Sequence, residues 1–249
     1  MNYWRMGETS GNLIDLAGGY DLTRSSGVTG GVAGAISGDS SQASTFSGTS
    51  SGRASTTTAV PGPNKFSISA WFKTTTNRGG KLIGFGDANS GSSGSYDRHI
   101  YMRNDGRIVF GVYPGAVRTI TSPSAYRNGQ WHQVVGQLSP AGMELWIDGV
   151  RVAQRTDTTS AQSYNGYWRI GGDSLGSWDS IPSSNNFSGS LDEIAIYDHA
   201  LSRTAIRQQY LASGRTLANN PPTASFVATM AALDVRSTPA PRRTRTADR

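Results

Sequence analysis

Phe66-Ser67-Ile68-Ser69-Ala70-Trp71-Phe72 alternates in character at a period of two, the pattern of a half-buried β-strand. Ile68, Ala70 and Phe72 fall on one face together with Phe66, so this segment defines a core-facing surface. Toward the C-terminus, residues 81–85 read as a second strand, residues 87–95 as a Ser/Gly loop and residues 99–102 as an aromatic strand. Asn104-Asp105-Gly106 is a tight-turn signature, and residues 107–113 read as the return strand of a hairpin. The device recurs: residues 131–138 turn at Pro140-Ala141-Gly142 into residues 143–147, and Asp148-Gly149 turns those into residues 150–153. Residues 167–172 and the long patterned segment 187–197 complete the series. Upstream, residues 13–63 are rich in Gly, Ser and Thr with isolated apolar positions, the look of short strands joined by long turns. One helix is expected, with Ser202 as N-cap, Ile206, Tyr210 and Leu211 on one side of residues 203–212, and Gly214 closing it.

Composition agrees with an all-β chain. Among 249 residues there are 31 Gly and only three Glu (Glu8, Glu144, Glu193), so turn formers abound and strong helix formers are scarce. Ten or more short strands and one late helix describe a two-sheet antiparallel jelly-roll sandwich. The absence of cysteine excludes a disulfide framework, a thiolate zinc site and a cysteine nucleophile. No apolar run approaches the roughly 18 residues a membrane helix needs, so membrane insertion is not expected. Met1-Asn2-Tyr3-Trp4-Arg5 lacks a signal-peptide h-region, which places any export signal upstream of this sequence. The net charge is +6, but residues 219–249 hold five Arg against Asp234 and Asp248, half of that excess. The remainder is nearly balanced and has no basic cluster interleaved with aromatics, so nucleic acid is not an expected partner.

Four motifs in order carry a family resemblance: Ile68-Ser69-Ala70-Trp71-Phe72-Lys73, Gly129-Gln130-Trp131-His132-Gln133-Val134-Val135, Leu145-Trp146-Ile147-Asp148-Gly149 and Gly189-Ser190-Leu191-Asp192-Glu193-Ile194-Ala195-Ile196-Tyr197. With Ala200-Leu201-Ser202 at the helix start, they resemble the concanavalin A-like, laminin G-like domain of secreted bacterial proteins over roughly residues 3–215. The resemblance implies a concanavalin A-like sandwich over residues 1–218. Its implied role is a non-catalytic carbohydrate-binding or adhesion module of a larger multidomain secreted or cell-surface protein. The implied partners are a glycan or extracellular matrix ligand and neighbouring domains of the same chain. The same fold also hosts glycoside hydrolases and polysaccharide lyases, and a purely structural spacer is the third reading. Asn219-Asn220-Pro221-Pro222-Thr223-Ala224-Ser225-Phe226 resembles the start of a polycystic-kidney-disease-type (PKD) domain, but Arg236 to Arg249 lacks the pattern of a continuing sandwich. Residues 219–249 therefore read as a linker and a truncated or frameshifted PKD start, disordered as it stands. The gene's nucleotide sequence decides whether the basic tail is a frameshift artefact.

Catalysis on this fold would require two carboxylates facing one cleft. Glu144 and Asp148, four apart, share a strand face, but Asp148 belongs to the Asp148-Gly149 turn, where backbone geometry favours Asp. No catalytic residue is assigned. Asp192 is a candidate ligand of a structural calcium ion, with Glu8 as a partner, because related sandwiches use a carboxylate on this late strand. His99, His132 and His199 have no metal-ligand spacing. Sugar recognition needs flat aromatic faces together with amide, carboxylate or guanidinium groups. Two loops contain both, Ser95-Tyr96-Asp97-Arg98-His99-Ile100-Tyr101 and Ser177-Trp178-Asp179 through Asn186. Tyr96, Arg98, His99, Trp178 and Asn185 are the candidate ligand-binding residues. Trp71, Trp131 and Trp146 lie in the strongest strand patterns and are assigned to packing.

Overall fold

Period-two alternation and Gly- and Asn-rich turns become, in a computed structural model that describes residues 1–218, sixteen strands and one helix. In chain order they begin β1 (Asn2–Trp4), β2 (Leu22–Arg24), β3 (Val28–Ala33), β4 (Gln42–Ser47), β5 (Ala54–Thr56), β6 (Val60–Pro61), β7 (Phe66–Lys73) and β8 (Gly80–Gly86). There follow β9 (Tyr96–Met102), β10 (Arg107–Val112), β11 (Arg118–Ala125), β12 (Trp131–Ser139), β13 (Gly142–Ile147) and β14 (Val150–Arg155). The last are β15 (Asn165–Ile170), β16 (Ser188–Tyr197) and the helix α1 (Arg203–Ala212). The expected PKD-type start lies outside the described residues.

The strands form two antiparallel sheets of eight. One runs β14-β13-β12-β7-β16-β4-β3, with β1 also against β16, and the other β11-β10-β9-β8-β15-β5-β2, with β6 against β15. Phe66, Ile68, Ala70 and Phe72 all enter the main core, as the alternation requires, and Phe66 meets Phe110 of the opposite sheet edge-on at 6.1 Å. The sheets approach so closely that a Cβ on Gly136 of β12 would lie 2.7 Å from the Phe110 ring.

The odd-numbered face of β7 is buried as well. Trp71 stacks on Tyr210 of α1 with ring planes 10° apart and centroids 5.7 Å apart, and Trp146 and Val135 pack with Leu201 and Ile206. The helix thus covers the outer face of the first sheet. Ser202 caps it as expected, accepting from the Ala205 amide at 3.1 Å, and Ile206 and Tyr210 face the sheet. Leu211 departs from expectation. One residue past Tyr210 rotates it about 100° around the helix, and it is 45% exposed.

Near its middle β16 changes neighbours. Residues Ser188–Leu191 pair with β4, whereas Ile194–Ile196 pair with β1. The register slips between Asp192 and Ala195, and Glu193 takes a left-handed backbone with φ 48°. This bulge breaks the simple alternation of Asp192 and Glu193. Trp71→Ala should cost about 3–5 kcal/mol, the usual range for emptying a large aromatic site. Leu211→Ala should stay within about 0.5 kcal/mol. Urea unfolding of both variants checks this, and equal losses would show that the helix does not dock through Trp71.

Candidate functional site

The second sheet also has an outer face, and the chain covers it without a helix. β9 and β10 place Tyr101 and Val109 on the side away from the main core, where they join Leu175 and Trp178 in a separate apolar cluster. The segment around Trp178 lies over this cluster. The Trp178 ring sits 3.9 Å from the His99 ring, centroid to centroid, and inclined at 65°. Gly111 makes this possible, because a Cβ there would stand 2.5 Å from Trp178 Cζ3. The segment is also tied at its backbone: the Tyr96 hydroxyl donates to Gly176 O at 2.8 Å, and the Tyr101 hydroxyl donates to Asp179 O.

Over the rim of this cluster opens a cleft of about 290 Å³ lined by Tyr96, Tyr113, Val117, Gln162, Ser177 and Trp178, with Gly94 and Gly176. It combines aromatic faces, an amide and a hydroxyl. No carboxylate lines it.

Beneath the cleft lies a buried ionic group. Lys81 Nζ stands 3.7 Å from Asp173 Oδ2, and Arg169 Nη1 stands 3.9 Å from Asp173 Oδ1. Burial lowers Lys81 to a pKa of about 8, with Asp173 opposing the shift. Burial pushes Asp173 up, but Lys81, Arg169 and the Ser93 amide outweigh it and hold the carboxyl below its usual range. Burial, and then the Lys81 charge, hold His99 well below the ordinary histidine range, so its ring is neutral at pH 7. Neither His99 nitrogen has a protein hydrogen-bond partner among the described residues.

The five sequence candidates therefore divide. Tyr96 and Trp178 come together in the cleft. Arg98 and His99 do not reach it, since both have zero exposure. A left-handed backbone at Arg98, φ 46°, accompanies a guanidinium that donates to Pro63 O at 2.8 Å, Gln162 O at 2.7 Å and Asp97 Oδ1 at 2.5 Å. It also lies over the rings of Phe85 and Tyr164, so Arg98 ties loops together instead of presenting to solvent. His99 is roofed by Trp178. Asn185 is exposed but lies outside the cleft lining, and its carbonyl accepts from the Lys81 amide at 3.3 Å. Adjacency in sequence does not reveal which side chains a covering loop will seal.

Sequence reasoning missed Tyr113, Val117 and Gln162, and placed Ser177 in a candidate loop without assigning it to the site. Tyr113 was recoverable, because it continues the Val109, Gly111 alternation onto the outer face. Gln162 lies in an irregular stretch with no periodic signal.

Four further carboxylates accept hydrogen bonds from the protein. Glu144 accepts from Gln137 Nε2 at 2.6 Å, Trp146 Nε1 at 3.0 Å and Arg151 Nη1 at 2.6 Å. Asp148 bonds His132 Nδ1 at 2.7 Å and accepts from the Gln133 amide at 2.9 Å, which gives His132 a structural role. Asp192 accepts from the amides of Ala35 and Glu193 at 2.6 and 3.1 Å, and Glu8 from that of Ile14 at 3.0 Å. Burial raises Asp192 to a pKa of about 7 against these bonds. Among the described residues no three His, Cys, Asp or Glu side chains group as metal ligands. A calcium ion at Asp192 would therefore need backbone carbonyls and water for most of its shell.

A laminin G-type family model, described as the concanavalin A-like lectin/glucanases superfamily, matches residues 46–207. Among solved structures, the chain is similar to the binding domain of a Paraclostridial mosquitocidal protein, at 15% identity and a TM-score of 0.60, over 84% of this chain and 52% of that one. A sialidase of Trypanosoma rangeli is 14% identical with a TM-score of 0.58, over 84% of this chain and 32% of that one. A heptameric pentraxin from Limulus polyphemus is 18% identical with a TM-score of 0.50, over 66% and 78%. At these identities the likeness is one of fold. The chain spans about half the length of the toxin binding domain and about a third of the sialidase.

Asp173→Asn should destabilise by about 3–5 kcal/mol, because it strands a buried ammonium. Adding Lys81→Met to Asp173→Asn should recover part of that loss in urea unfolding, because Arg169 still lacks its carboxylate. The pH dependence has a definite sign. Since Lys81 is held near 8 in the fold against 10.5 for the free side chain, the unfolded chain binds more protons between those values. The slope of stability against pH should thus carry a rising contribution from Lys81 between pH 8 and 10.5 that is lost in Lys81→Met; an unchanged slope in the variant would refute this.

Proposed function

This chain belongs to the concanavalin A-like lectin/glucanases superfamily, and on that premise we propose that it is a non-catalytic carbohydrate-binding module of an extracellular multidomain protein. The observation that carries the reading is the cleft of Tyr96, Tyr113 and Trp178 with Gln162 and Ser177 on its rim. Aromatic faces take the C–H side of a pyranose ring, and the amide and hydroxyl take its hydroxyl groups. The supporting loop is held by tyrosine hydroxyls donating to its backbone carbonyls, so little ordering cost falls on binding. A solved binding domain of similar fold is consistent with such a role.

The superfamily contains glycosidases as well as binding proteins, and fold alone does not choose between them. Binding is favoured over hydrolysis because the aromatic cleft lacks the paired carboxylates that glycoside cleavage ordinarily uses. Extracellular placement follows from the reading as a glycan receptor. No helix among the described residues is long and apolar enough to cross a membrane. The reading also includes residues 219–249 as a linker into a PKD-type domain, which the coding sequence around Leu233 to Arg236 tests.

A glycan array probed with the full chain should reveal at least one ligand. Tyr113→Ala should weaken it by tenfold or more, the usual penalty for removing a central aromatic contact of about 1.4 kcal/mol or above. Trp178→Ala should do the same while unfolding cooperatively. Binding that ignores both substitutions would place the site elsewhere, and no binding to any glycan would favour the spacer reading. Calcium enters the proposal through Asp192: added Ca²⁺ should raise the melting temperature of the native protein but not of Asp192→Asn, and equal responses would remove the metal from it.

A further inference from the structure

A second groove lies on the same outer face, toward β2 and β5. It has a volume of about 360 Å³ and is bounded by residues 89–91. Its lining is rich in hydroxyl and amide groups, among them Thr23, Ser25 and Asn89; the Arg53 guanidinium is half-buried there, and Arg169, 1% exposed, lies beneath it as a buried charge. No carboxylate lines it.

The charges around this groove do not balance. Arg53, Arg169 and Lys81 are three cations, and among the described residues Asp173 is the one carboxylate in ion-pair range of both Lys81 and Arg169, at 3.7 and 3.9 Å. Asp97, the other buried carboxylate whose charge acts on Lys81, is matched by Arg98 at 2.5 Å. His99 is neutral and adds no further positive charge. Arg53 and Arg169 also repel each other, and after burial and Asp173 the Arg53 charge lowers the basicity of Arg169.

The guanidinium groups are oriented by carbonyls that do not neutralise them. Arg53 Nη1 donates to Gly91 O at 2.8 Å and Arg169 Nη2 to the same oxygen at 3.0 Å, while Arg53 Nε donates to Asn186 Oδ1 at 2.8 Å. Arg169 Nε is buried and has no partner among the described residues. Surplus positive charge held in a fixed, partly dry geometry is the condition under which an oxyanion binds, and planar guanidinium groups suit carboxylate and sulfate oxygens.

We infer that this groove is a subsite for the anionic substituent, a carboxylate or a sulfate ester, of an acidic glycan. The inference rests on the glycan reading above. The loop of residues 87–95 joins the two sites, contributing Asn89, Ser90 and Gly91 to the groove and Gly94 to the aromatic cleft. One chain of sugars passing over this loop would engage both.

Calorimetric titration of the full chain with oligogalacturonate, a heparin-derived oligosaccharide and a neutral oligogalactan tests it. The acidic probes should bind at least tenfold more tightly than the neutral one, and added salt should reduce that advantage. Whichever acidic probe binds more tightly identifies the oxyanion. Arg53→Gln should abolish the advantage. Ser90→Asp, an exposed loop change that leaves the guanidinium contacts intact, should do so without loss of stability. If acidic binding survives both substitutions, its source is the arginine-rich tail or general surface charge, and the inference fails. If the neutral probe binds as tightly as the acidic ones, it fails while the aromatic cleft stands, and if no probe binds, both fall. If acidic probes alone bind and both substitutions remove them, the groove stands and the aromatic cleft falls.

Discussion

A β-sheet presents two faces, and pressing two sheets together buries only two of the four. The other features of this molecule follow from how the remaining faces are covered. On the first sheet α1 supplies the cover, with Tyr210 stacked on Trp71 and Ile206 packed with Trp146 and Val135. The second sheet is covered by irregular segments that bring Leu175 and Trp178 down onto Tyr101 and Val109. A helix seals a sheet with a continuous apolar stripe, whereas irregular chain leaves clefts between its turns. The two grooves beside residues 87–95 lie on the side that lacks the helix.

The same choice explains the electrostatics. Residues that alternation sends to an outer sheet face are expected to be polar, and Lys81, His99 and Arg169 conform. Covering them removes their water, which is why Lys81 is displaced to a pKa of about 8 and His99 is left uncharged. Asp173 compensates part of the buried positive charge by approaching both Lys81 and Arg169. The local field is therefore a consequence of the cover, and it acts on whatever enters from the loop side. Carbonyl oxygens of Ala88 and Gly91 hold the Arg169 fork in place without cancelling its charge.

The contrast between β7 and the segment around Arg98 shows what can be read from a linear pattern. In β7 the side chains obey period two without interruption, so Phe66, Ile68, Ala70 and Phe72 could be assigned to the core directly. The Asn104-Asp105-Gly106 and Asp148-Gly149 turns were similarly legible, since left-handed backbone at Gly106 and at both Asp148 and Gly149 restricts which residues serve there. Arg98 and Glu193 break the rule within strands. Each adopts a positive φ inside an otherwise regular pattern, which redirects the chain at a non-glycine residue and is invisible to periodicity.

What the sequence by itself determined is the all-β class, the hairpin turns, the core face of β7, the limits of the capped helix, and the family through four ordered motifs. These depend on interactions among near neighbours or on strict alternation, both of which a linear string records. Only the tertiary structure decided that Tyr96 and Trp178 share a cleft with Tyr113 and Gln162, that Arg98 and His99 are sealed beneath it, and that Arg53 joins Arg169 across more than a hundred residues of chain. Those outcomes depend on where loops come to rest over a sheet. That is settled by long-range packing and by desolvation of the charges it covers, neither of which leaves a period in the sequence.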